Sequence, residues 1–379
     1  MQFHYHIKIV LVKIRIDIIG IRKKGVIMKI LISGAKTKFF HLEEFGQALT
    51  KFGVEYKLVH DIDVIDGFPS RQIKNWLQNK TKFNQLVSEF KPDLVFVDRQ
   101  IRFGVATIES NIPLYVHLRG DYWSEMQWAK ETLYKDPIKK TVLWFKDRTA
   151  KKCFKDSTSI VPICNYLKEI VENKYPEKSV ETLYQGIDPS KWFKTKGMKL
   201  QHPCVGLVQS ASIWGKTREL LILPKILEAM PNVMFYWVGD GAYANKIIPV
   251  LKKYKNFKWL GHLEYPNRVR EFLDEIDVYA LMSGIDMSPL TLQEAQLMKK
   301  PVIATSVGGI PELMIENETG YLINKGDYKN WIEKIKILLN DEKKSKEMGK
   351  KGREFIEKEF NWNKIAENFL KIVNQNSKI

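Results

Sequence analysis

A chain of 379 residues is longer than one ordinary domain and fits two domains of roughly 100–200 residues each. Hydrophobic residues make up 44% of the chain and aromatic residues 12%, which excludes a disordered or fibrous protein. Lys+Arg 61 against Asp+Glu 44 gives a formal net charge of +17, which favours anionic partners without choosing among them. The scattered cysteines Cys153, Cys164 and Cys204 form no CxxC pair, which excludes a disulfide scaffold and a zinc site built on cysteine pairs.

Residues 1–27 form a basic segment. Charges interrupt its apolar run every few residues, so it is too broken to span a bilayer, and it lacks the pattern of a signal peptide. Met28 then opens Met-Lys-Ile-Leu-Ile-Ser-Gly, which predicts a buried strand ending in a glycine turn. We expect the native start at Met28 and interpret residues 1–27 as a non-native or flexible extension; a basic membrane-surface tether is the alternative.

From Met28 onward, short apolar runs alternate with longer amphipathic stretches. Runs that are apolar on both faces and separated by helical patterns predict parallel strands covered by helices. The first series of predicted strands comprises residues 29–33, 55–59, 94–98, 114–118 and 159–163. The second series comprises residues 203–208, 233–238, 277–282, 301–305 and 321–323. Two such series predict an α/β protein with two doubly wound, Rossmann-like domains.

The predicted domain boundary lies where periodicity breaks, over residues 188–201. We place the first domain at 28–195 and the second at 196–360. A final helix at 361–379 follows, with Asn361 as its N-cap and an apolar stripe of Ile365, Phe369 and Ile372.

The loop after the predicted strand 277–282 carries the strongest functional signal. Ser288 is the predicted N-cap and Pro289 the first residue of the next helix, whose start would offer free N–H groups to a phosphate. Glu294, about a turn and a half into that helix, could accept hydrogen bonds from two vicinal hydroxyls, as a ribose presents. Asp286, earlier in the loop, could reach the next hydroxyl-rich group. This arrangement predicts a site for an elongated nucleotide-sugar.

The same residues carry a family resemblance. Asp286-x7-Glu294, followed by Pro301-Val-Ile-Ala and Gly308-Gly-Ile-Pro-Glu312, resembles the donor site of family 4 retaining glycosyltransferases (glycosyl transferases group 1), which have the GT-B fold. The resemblance covers nearly the whole chain from Met28. Further segments that resemble the family, in the correct order, are Tyr184-Gln-Gly-Ile-Asp188, Val238-Gly-Asp-Gly241, Leu260-Gly261-His262 and Phe360-Asn-Trp362.

The resemblance implies a fold and a separate binding role for each of the two domains. It implies two Rossmann-like parallel-sheet domains facing a central cleft, with the acceptor bound by the N-terminal domain and the nucleotide-sugar by the C-terminal domain. The final helix would pack back on the first domain.

The resemblance also implies roles for residues of the donor site. Glu294 would hold the ribose and Asp286 the transferred sugar, while Lys216 would neutralise the diphosphate. The backbone amides of a short stretch would contact the sugar and diphosphate: Met287, Ser288, Pro289 and Leu290. Gly261 belongs to the loop that would hold the base through backbone groups.

Three residues of the first domain receive roles in the same way. Gly34, at the end of the first strand, would let the backbone approach the diphosphate. Arg119 and Asp121 would face the reacting sugar carbon and the acceptor, with His117 as an alternative to these for the family's histidine role.

The chain departs from the family pattern at three donor-site positions. Asp286 stands where a Glu is usual, which shortens its reach by one methylene. Ser210 stands where an Arg is usual, and the phosphate lysine, Lys216, is displaced by one residue; Arg218 is a candidate substitute.

Residues 138–154 predict a basic amphipathic helix. The predicted apolar face comprises Ile138, Val142, Phe145 and Thr149. One interpretation is an ordinary helix with that face on the core. The other is docking to anionic lipid near the acceptor site, helped by Trp123, Trp128 and Trp144.

These patterns together with the family resemblance imply a cytoplasmic retaining glycosyltransferase that uses a nucleoside-diphosphate sugar, with peripheral contact at the inner face of an anionic membrane as an option. A glycolipid or surface polysaccharide is the expected acceptor. No Asp/Asp metal motif occurs, so we expect neither a metal nor another cofactor. The alternatives are a nucleotide-sugar epimerase or sugar phosphorylase of similar fold, and a non-enzymatic nucleic-acid-binding protein. Because the basic residues are dispersed and no nucleic-acid motif is recognised, we expect no nucleic acid partner.

Overall fold

The computed structural model describes residues 27–67, 70, 75–76, 79–132 and 134–377. The predictions for residues 1–26 therefore lie outside the described residues. The chain divides into two compact units: residues up to Gly186 join those from Trp362 onward, and Ile187–Asn361 form the second unit.

The first unit is built on a parallel sheet with the strand order β2-β1-β3-β4-β5 among the described residues. Its strands are β1 (Met28–Gly34), β2 (Val54–His60), β3 (Leu94–Asp98), β4 (Leu114–Leu118) and β5 (Ser159–Pro162). Its helices are α1 (Phe39–Thr50), α2 (Asp61–Val64), α3 (Thr81–Phe90), α4 (Arg102–Ile108), α5 (Tyr122–Thr132), α6 (Pro137–Asp156), α7 (Asn165–Lys174) and the last helix of the chain, α15 (Trp362–Asn376).

The second unit is built on a parallel sheet with the order β11-β10-β9-β6-β7-β8. Its strands are β6 (Cys204–Val208), β7 (Met234–Val238), β8 (Phe257–Gly261), β9 (Val278–Leu281), β10 (Val302–Thr305) and β11 (Gly320–Ile323). Its helices are α8 (Trp214–Thr217), α9 (Leu223–Ala229), α10 (Ala244–Leu251), α11 (Asn267–Glu275), α12 (Leu290–Leu297), α13 (Tyr328–Asn340) and α14 (Glu342–Glu359).

The predicted pair of parallel α/β domains is confirmed, and every predicted strand is present within one residue of its expected ends. One strand, β8, was not predicted. Its sequence Phe-Lys-Trp-Leu-Gly lies at the edge of the sheet, and Phe257 is its only buried residue while Lys258 is exposed. A strand covered on so little of its surface does not give the continuous apolar run from which most of the others were predicted; β2, in which Val54 alone is buried, is the exception.

The segment that follows Gly186 belongs to the second unit, although the sequence placed the boundary at residue 195. Trp192 is only 2% exposed, and the Thr195 hydroxyl donates to Asp274 Oδ2 over 2.9 Å. These contacts explain why residues 187–195 pack with the second unit, where the sequence pattern showed only a loss of periodicity.

Helix α15 contributes to the core of the first unit. Phe369 is fully buried, and its ring centroid lies 5.4 Å from Phe45, 5.2 Å from Phe96 and 5.5 Å from Tyr115. At the start of the helix, Trp362 packs so closely on Gly186 that an added Cβ there would lie 2.4 Å from the indole ring. The chain therefore returns to complete a core that its first half began.

The prediction of which face of the basic helix is buried was wrong. Helix α6 buries Leu143, Ala150, Cys153 and Phe154, whereas Ile138 is 79% exposed. The buried face packs on neighbouring segments: the Cys153 thiol donates to the Ile101 carbonyl over 3.3 Å, and the Phe154 ring stacks on Trp123 with the ring centroids 5.6 Å apart. None of the helices in the described part of the chain has the length and apolar character needed to cross a membrane.

Candidate functional site

The loops that follow β6 and β9 meet at the carboxyl edge of the second sheet. Because β6 and β9 are neighbours, Lys216 and Asp286 come together although 70 positions separate them: Lys216 Nζ lies 2.7 Å from Asp286 Oδ1. The Gly284 amide donates to the Lys216 carbonyl over 3.1 Å. The structure thus brings the predicted phosphate lysine and the predicted sugar-binding acid into one ion pair.

Two glycines allow this close approach. An added Cβ on Gly284 would lie 2.2 Å from the Gly215 carbonyl oxygen. Gly308, after β10, has a φ of +57°, and its Cβ would lie 2.1 Å from the carbonyl oxygen of Asp286. The Gly309 amide donates to that same oxygen over 2.9 Å. The loop carrying Asp286 is therefore held from both sides by neighbouring loops.

The start of helix α12 differs from the prediction. The helix begins at Leu290, with Pro289 at the N-cap position instead of the first helical position, and it receives no side-chain cap. Ser288 does not cap it: its Oγ is buried and has no hydrogen-bond partner within the described part of the chain. The Met287 amide, predicted to contact substrate, donates instead to Asp286 Oδ1 over 2.9 Å.

Glu294 lies in the second turn of α12 and is only 1% exposed. The Tyr265 hydroxyl donates to its Oε1 over 3.0 Å, whereas Oε2 has no hydrogen-bond partner among the described residues. Burial raises the pKa of Glu294 to about 8, and the Tyr265 hydrogen bond opposes this shift. A buried carboxyl oxygen without a donor is costly, so this atom is well suited to receive a ligand hydroxyl.

The Gly-Asp-Gly turn after β7 packs on the loop after β6. Gly239 and Gly241 have φ angles of +145° and +149°, and an added Cβ on Gly239 would lie 2.0 Å from the Gln209 carbonyl oxygen. Gly261, predicted to belong to the base-binding loop, ends β8 with a φ of +70°, and its carbonyl accepts from the Gly239 amide over 2.8 Å. Turn geometry and close packing therefore account for these glycines.

Two residues of this site were missed in the sequence. The Gln209 side chain bonds both backbone groups of Met282, donating to its carbonyl over 2.9 Å and accepting from its amide over 3.2 Å. Tyr265 is the partner of Glu294 described above. Both contacts join residues far apart in the chain, and neither belongs to a local motif that could have indicated them.

Arg218 lies beside the Lys216–Asp286 pair. Its Nε lies 3.6 Å from the position of a Cβ on Gly284. Ser210, which stands at the place of the family's arginine, is exposed, and its Oγ lies 2.8 Å from Ser212 Oγ. Among the described residues, Arg218 is therefore a further cation next to the loop that contains Gly284.

The first unit gathers a second set of predicted residues at the carboxyl edge of its own sheet. An added Cβ on Gly34 would lie 2.6 Å from Leu42 Cδ1 and 3.1 Å from Asp98 Cβ, so packing alone requires a glycine here. Arg119 Nη1 lies 3.6 Å from Asp98 Oδ1, and Nη2 donates to Gln185 Oε1. Arg119 is thus held in place by two polar partners.

His117 is fully buried near Arg119. Burial, together with the positive charge of Arg119, lowers the pKa of His117 to about 3. The ring is therefore neutral at physiological pH, and its Nε2 lies 3.2 Å from the Leu183 carbonyl oxygen. A neutral, bonded imidazole of this kind does not supply a positive charge to a substrate.

Asp121 has a structural duty at the start of helix α5. Its Oδ1 accepts from the amides of Trp123 and Ser124, each over 3.1 Å, and its Oδ2 accepts from the Ser124 hydroxyl. These are the contacts of an N-cap residue. The role at the acceptor, implied by the family resemblance, stays a prediction.

One group of side chains in the described residues has the spacing of metal ligands. The ligand atoms of His202, Cys204 and Asp277 lie within 4.8 Å of one another. These residues precede or begin β6 and β9, so they lie at the amino edge of the sheet, opposite Lys216 and Asp286. The group is therefore separate from the site described above.

Comparison with known proteins identifies the class of fold and domain. A family model described as glycosyl transferases group 1 matches residues 217–355, which contain Asp286 and Glu294. The solved structure of sucrose-phosphate synthase from Thermosynechococcus elongatus is similar over 93% of this chain and 99% of its own, with a TM-score of 0.72 and 16% identity. Anabaena Alr3699/HepE in complex with UDP-glucose is similar over 93% of this chain and 100% of its own, with a TM-score of 0.66 and 18% identity. The predicted GT-B fold is confirmed.

Curated relatives are similar to this chain over only part of their length. N-acetyl-alpha-D-glucosaminyl L-malate synthase of Bacillus anthracis is 28% identical over 55% of this chain and 56% of its own. The GDP-mannose-dependent monoacylated alpha-(1-6)-phosphatidylinositol monomannoside mannosyltransferase of Corynebacterium glutamicum is 26% identical over 66% of each chain. The chain thus matches between about half and two thirds of the length of these two relatives.

Proposed function

We propose that the protein is a retaining glycosyltransferase, which moves a sugar from a nucleoside-diphosphate sugar to an acceptor hydroxyl. The observation that carries this proposal is the buried Glu294, whose Oε2 has no donor in the described part of the chain. In the proposal, two vicinal ribose hydroxyls bind this carboxylate. The match of residues 217–355 to glycosyl transferases group 1 supports it independently.

The proposed reaction breaks the bond between the anomeric carbon and the diphosphate and forms a bond from that carbon to the acceptor oxygen on the same face. The acceptor proton passes to the departing phosphate. Lys216, Arg218 and the start of α12 stabilise the negative charge that develops on the diphosphate. Lys216 is already paired with Asp286, so the incoming diphosphate competes for Lys216 while the sugar hydroxyls engage Asp286.

Arg119 and Asp121 are proposed to face the reacting carbon and the acceptor. The proposal assigns the diphosphate charge to protein cations and to no metal ion. Activity should therefore survive EDTA, and loss of activity with EDTA that magnesium restores would contradict this part.

A glycolipid or surface polysaccharide is the proposed acceptor, with contact between the protein and an anionic membrane surface. One relative is described as acting on a monoacylated phosphatidylinositol mannoside. The basic helix α6 carries Trp144, which is 54% exposed, and the exposed Ile138, a combination that favours lipid interfaces.

The test of the donor site is thermal stabilisation of the full chain by UDP, GDP, ADP and their common sugar conjugates. We expect selective stabilisation by one base, lost in Glu294→Ala and retained in the control Glu318→Ala, whose side chain is exposed. Stabilisation that persists in folded Glu294→Ala would contradict the donor-site assignment.

Product analysis separates the proposal from its rivals. A nucleotide-sugar epimerase converts the donor with no acceptor present, and a sugar phosphorylase requires inorganic phosphate. Transfer that depends on a separate acceptor alcohol is the expected result.

A further inference from the structure

Two neighbouring cavities lie beside the carboxyl edge of the first sheet. The first has a volume of about 470 Å³. It is lined by residues that follow β2 and β3 and by residues of α5 and α6. Much of its wall is apolar: Ile62, Ile65, Phe103, Met126 and Leu143. The charges of its described lining residues balance, since Asp61, Asp66 and Glu125 oppose Arg99, Arg102 and Lys146. This cavity is therefore suited to an apolar group and shows no preference for an anion.

The second cavity, about 290 Å³, shares Ile65, Arg102 and Thr149 with the first. Its lining includes four cations, Lys80, Arg102, Arg148 and Lys152, against one carboxylate, Glu109. Glu109 is paired with both lysines, with Lys152 Nζ 2.8 Å from its Oε1. Four cations against one carboxylate leave a net charge of +3 among the described lining residues, which favours an anion in this cavity.

The backbone at this edge is also strained. Arg99, the first residue after β3, has a φ of +80°, a conformation that is costly for a residue with a side chain. Its guanidinium lines the first cavity and lies 3.5 Å from Glu125 Oε2. Strain of this kind clusters at functional sites, and here it lies in the wall of the first cavity.

We infer that the acceptor is an anionic amphiphile, with its apolar chain in the first cavity and its phosphate in the second, bound by Arg102, Arg148 and Lys152. Arg102 and Thr149 line both cavities, so one molecule with a chain and a phosphate close together can occupy both. That this ligand is the acceptor rests on the proposed function; that the cavities bind it does not.

The probes are dodecyl phosphate, inorganic phosphate and dodecyl maltoside, titrated as monomers into the full chain by calorimetry. We expect saturable binding of dodecyl phosphate, with a Kd at least tenfold below those of inorganic phosphate and dodecyl maltoside. Equal affinity for inorganic phosphate would mean that only the anion is recognised, and equal affinity for dodecyl maltoside that the phosphate is not; either result overturns the inference.

Variants locate the two halves of the ligand. The double variant Arg148→Gln/Lys152→Gln should weaken dodecyl phosphate at least tenfold. The control Lys140→Gln/Lys155→Gln, which changes two exposed lysines of the same helix outside both cavities, should bind as the native chain does. Ala129→Trp fills the first cavity and should weaken dodecyl phosphate while leaving inorganic phosphate unchanged; Ala129→Leu serves if that variant does not fold. Unchanged binding in the folded cavity variants would overturn the inference.

Thermal stabilisation by nucleotides, measured on the same samples, distinguishes failure of the amphiphile site from failure of the donor site. Nucleotide binding without dodecyl phosphate binding rejects the amphiphile and retains the glycosyltransferase. The reverse result retains the amphiphile site and rejects the donor site.

Discussion

Glu294 should couple donor binding to pH. In the free protein burial raises its pKa to about 8, so the carboxyl is largely protonated at pH 7. A ribose that donates two hydrogen bonds needs the ionised form, so binding should release a proton. Donor affinity should then rise as pH approaches 8, by at most about tenfold per unit. Calorimetry in buffers of different ionisation enthalpy measures the proton, and Glu294→Gln should abolish the release; release unchanged in that variant would contradict the assignment.

The raised pKa of Glu294 also determines the direction in which the stability of the free protein changes with pH. The pKa of Glu294 is raised on folding, so between its unfolded value and about pH 8 the folded state binds more protons than the unfolded state. Stability of the free protein should therefore fall across this range as pH rises. Glu294→Gln should reduce that fall, as chemical denaturation at several pH values would show.

Lys216→Met tests the proposed stabilisation of the leaving group. If Lys216 acts mainly in the transition state, kcat should fall by about 10²–10³ while KM changes less. The control Lys253→Met changes an exposed lysine of the same unit and should leave kcat intact. A rise in KM with kcat unchanged would indicate instead that Lys216 binds the ground state and the transition state equally.

At the scale of elements, the loops after β6 and β9 depend on Gly284. In Gly284→Ala the new Cβ would meet the Gly215 carbonyl and push the loops apart, with loss of nucleotide-induced stabilisation. Gly326→Ala is the control: φ is +81° there, but the Cβ meets nothing within 4 Å, so only backbone strain of about 1–2 kcal/mol is expected. Equal nucleotide responses in both variants would show that loop spacing is not critical.

Variants of Asp121 can distinguish its role as the N-cap of α5 from its proposed role at the acceptor. Asp121→Ala should destabilise the protein by about 1 kcal/mol because α5 loses its N-cap, and Asp121→Ser should restore most of that stability. If Asp121 only caps, the serine variant also retains turnover. Stability restored without turnover would instead support the proposed role at the acceptor.

Strands were predictable because burial on both faces leaves a continuous apolar run, as in the fully buried Leu94–Asp98. The start of α12 was harder to predict. Serine is a common N-cap residue, which made Ser288 the expected cap, yet tertiary packing moves the start of the helix to Leu290. The acids Asp286 and Glu294 stand in a local pattern that indicates their chemistry. Their partners Lys216 and Tyr265 are fixed by strand order and loop packing, which a local pattern does not encode.

At the scale of the whole molecule, helix α15 should contribute strongly to the first unit. Phe369→Ala removes a ring buried among three aromatic partners and should cost roughly 3–5 kcal/mol. Phe355→Ala, in the second unit, removes a half-buried ring and is the matched control, with a smaller expected loss. Hydrogen exchange should show faster exchange in β1, β3 and β4 for Phe369→Ala. Unchanged exchange there would contradict a core role for α15.

The return of the chain to the first unit has a consequence for the order of synthesis. The segment Ile187–Asn361 is complete on the ribosome before residue 362 is made, whereas the first unit lacks α15 until Trp362–Asn376 leaves the exit tunnel. The second unit can therefore fold while translation continues. Until α15 has emerged, the apolar surface that Phe369 will cover is exposed on the nascent first half, and exposed surface of this kind makes a folding chain prone to aggregate.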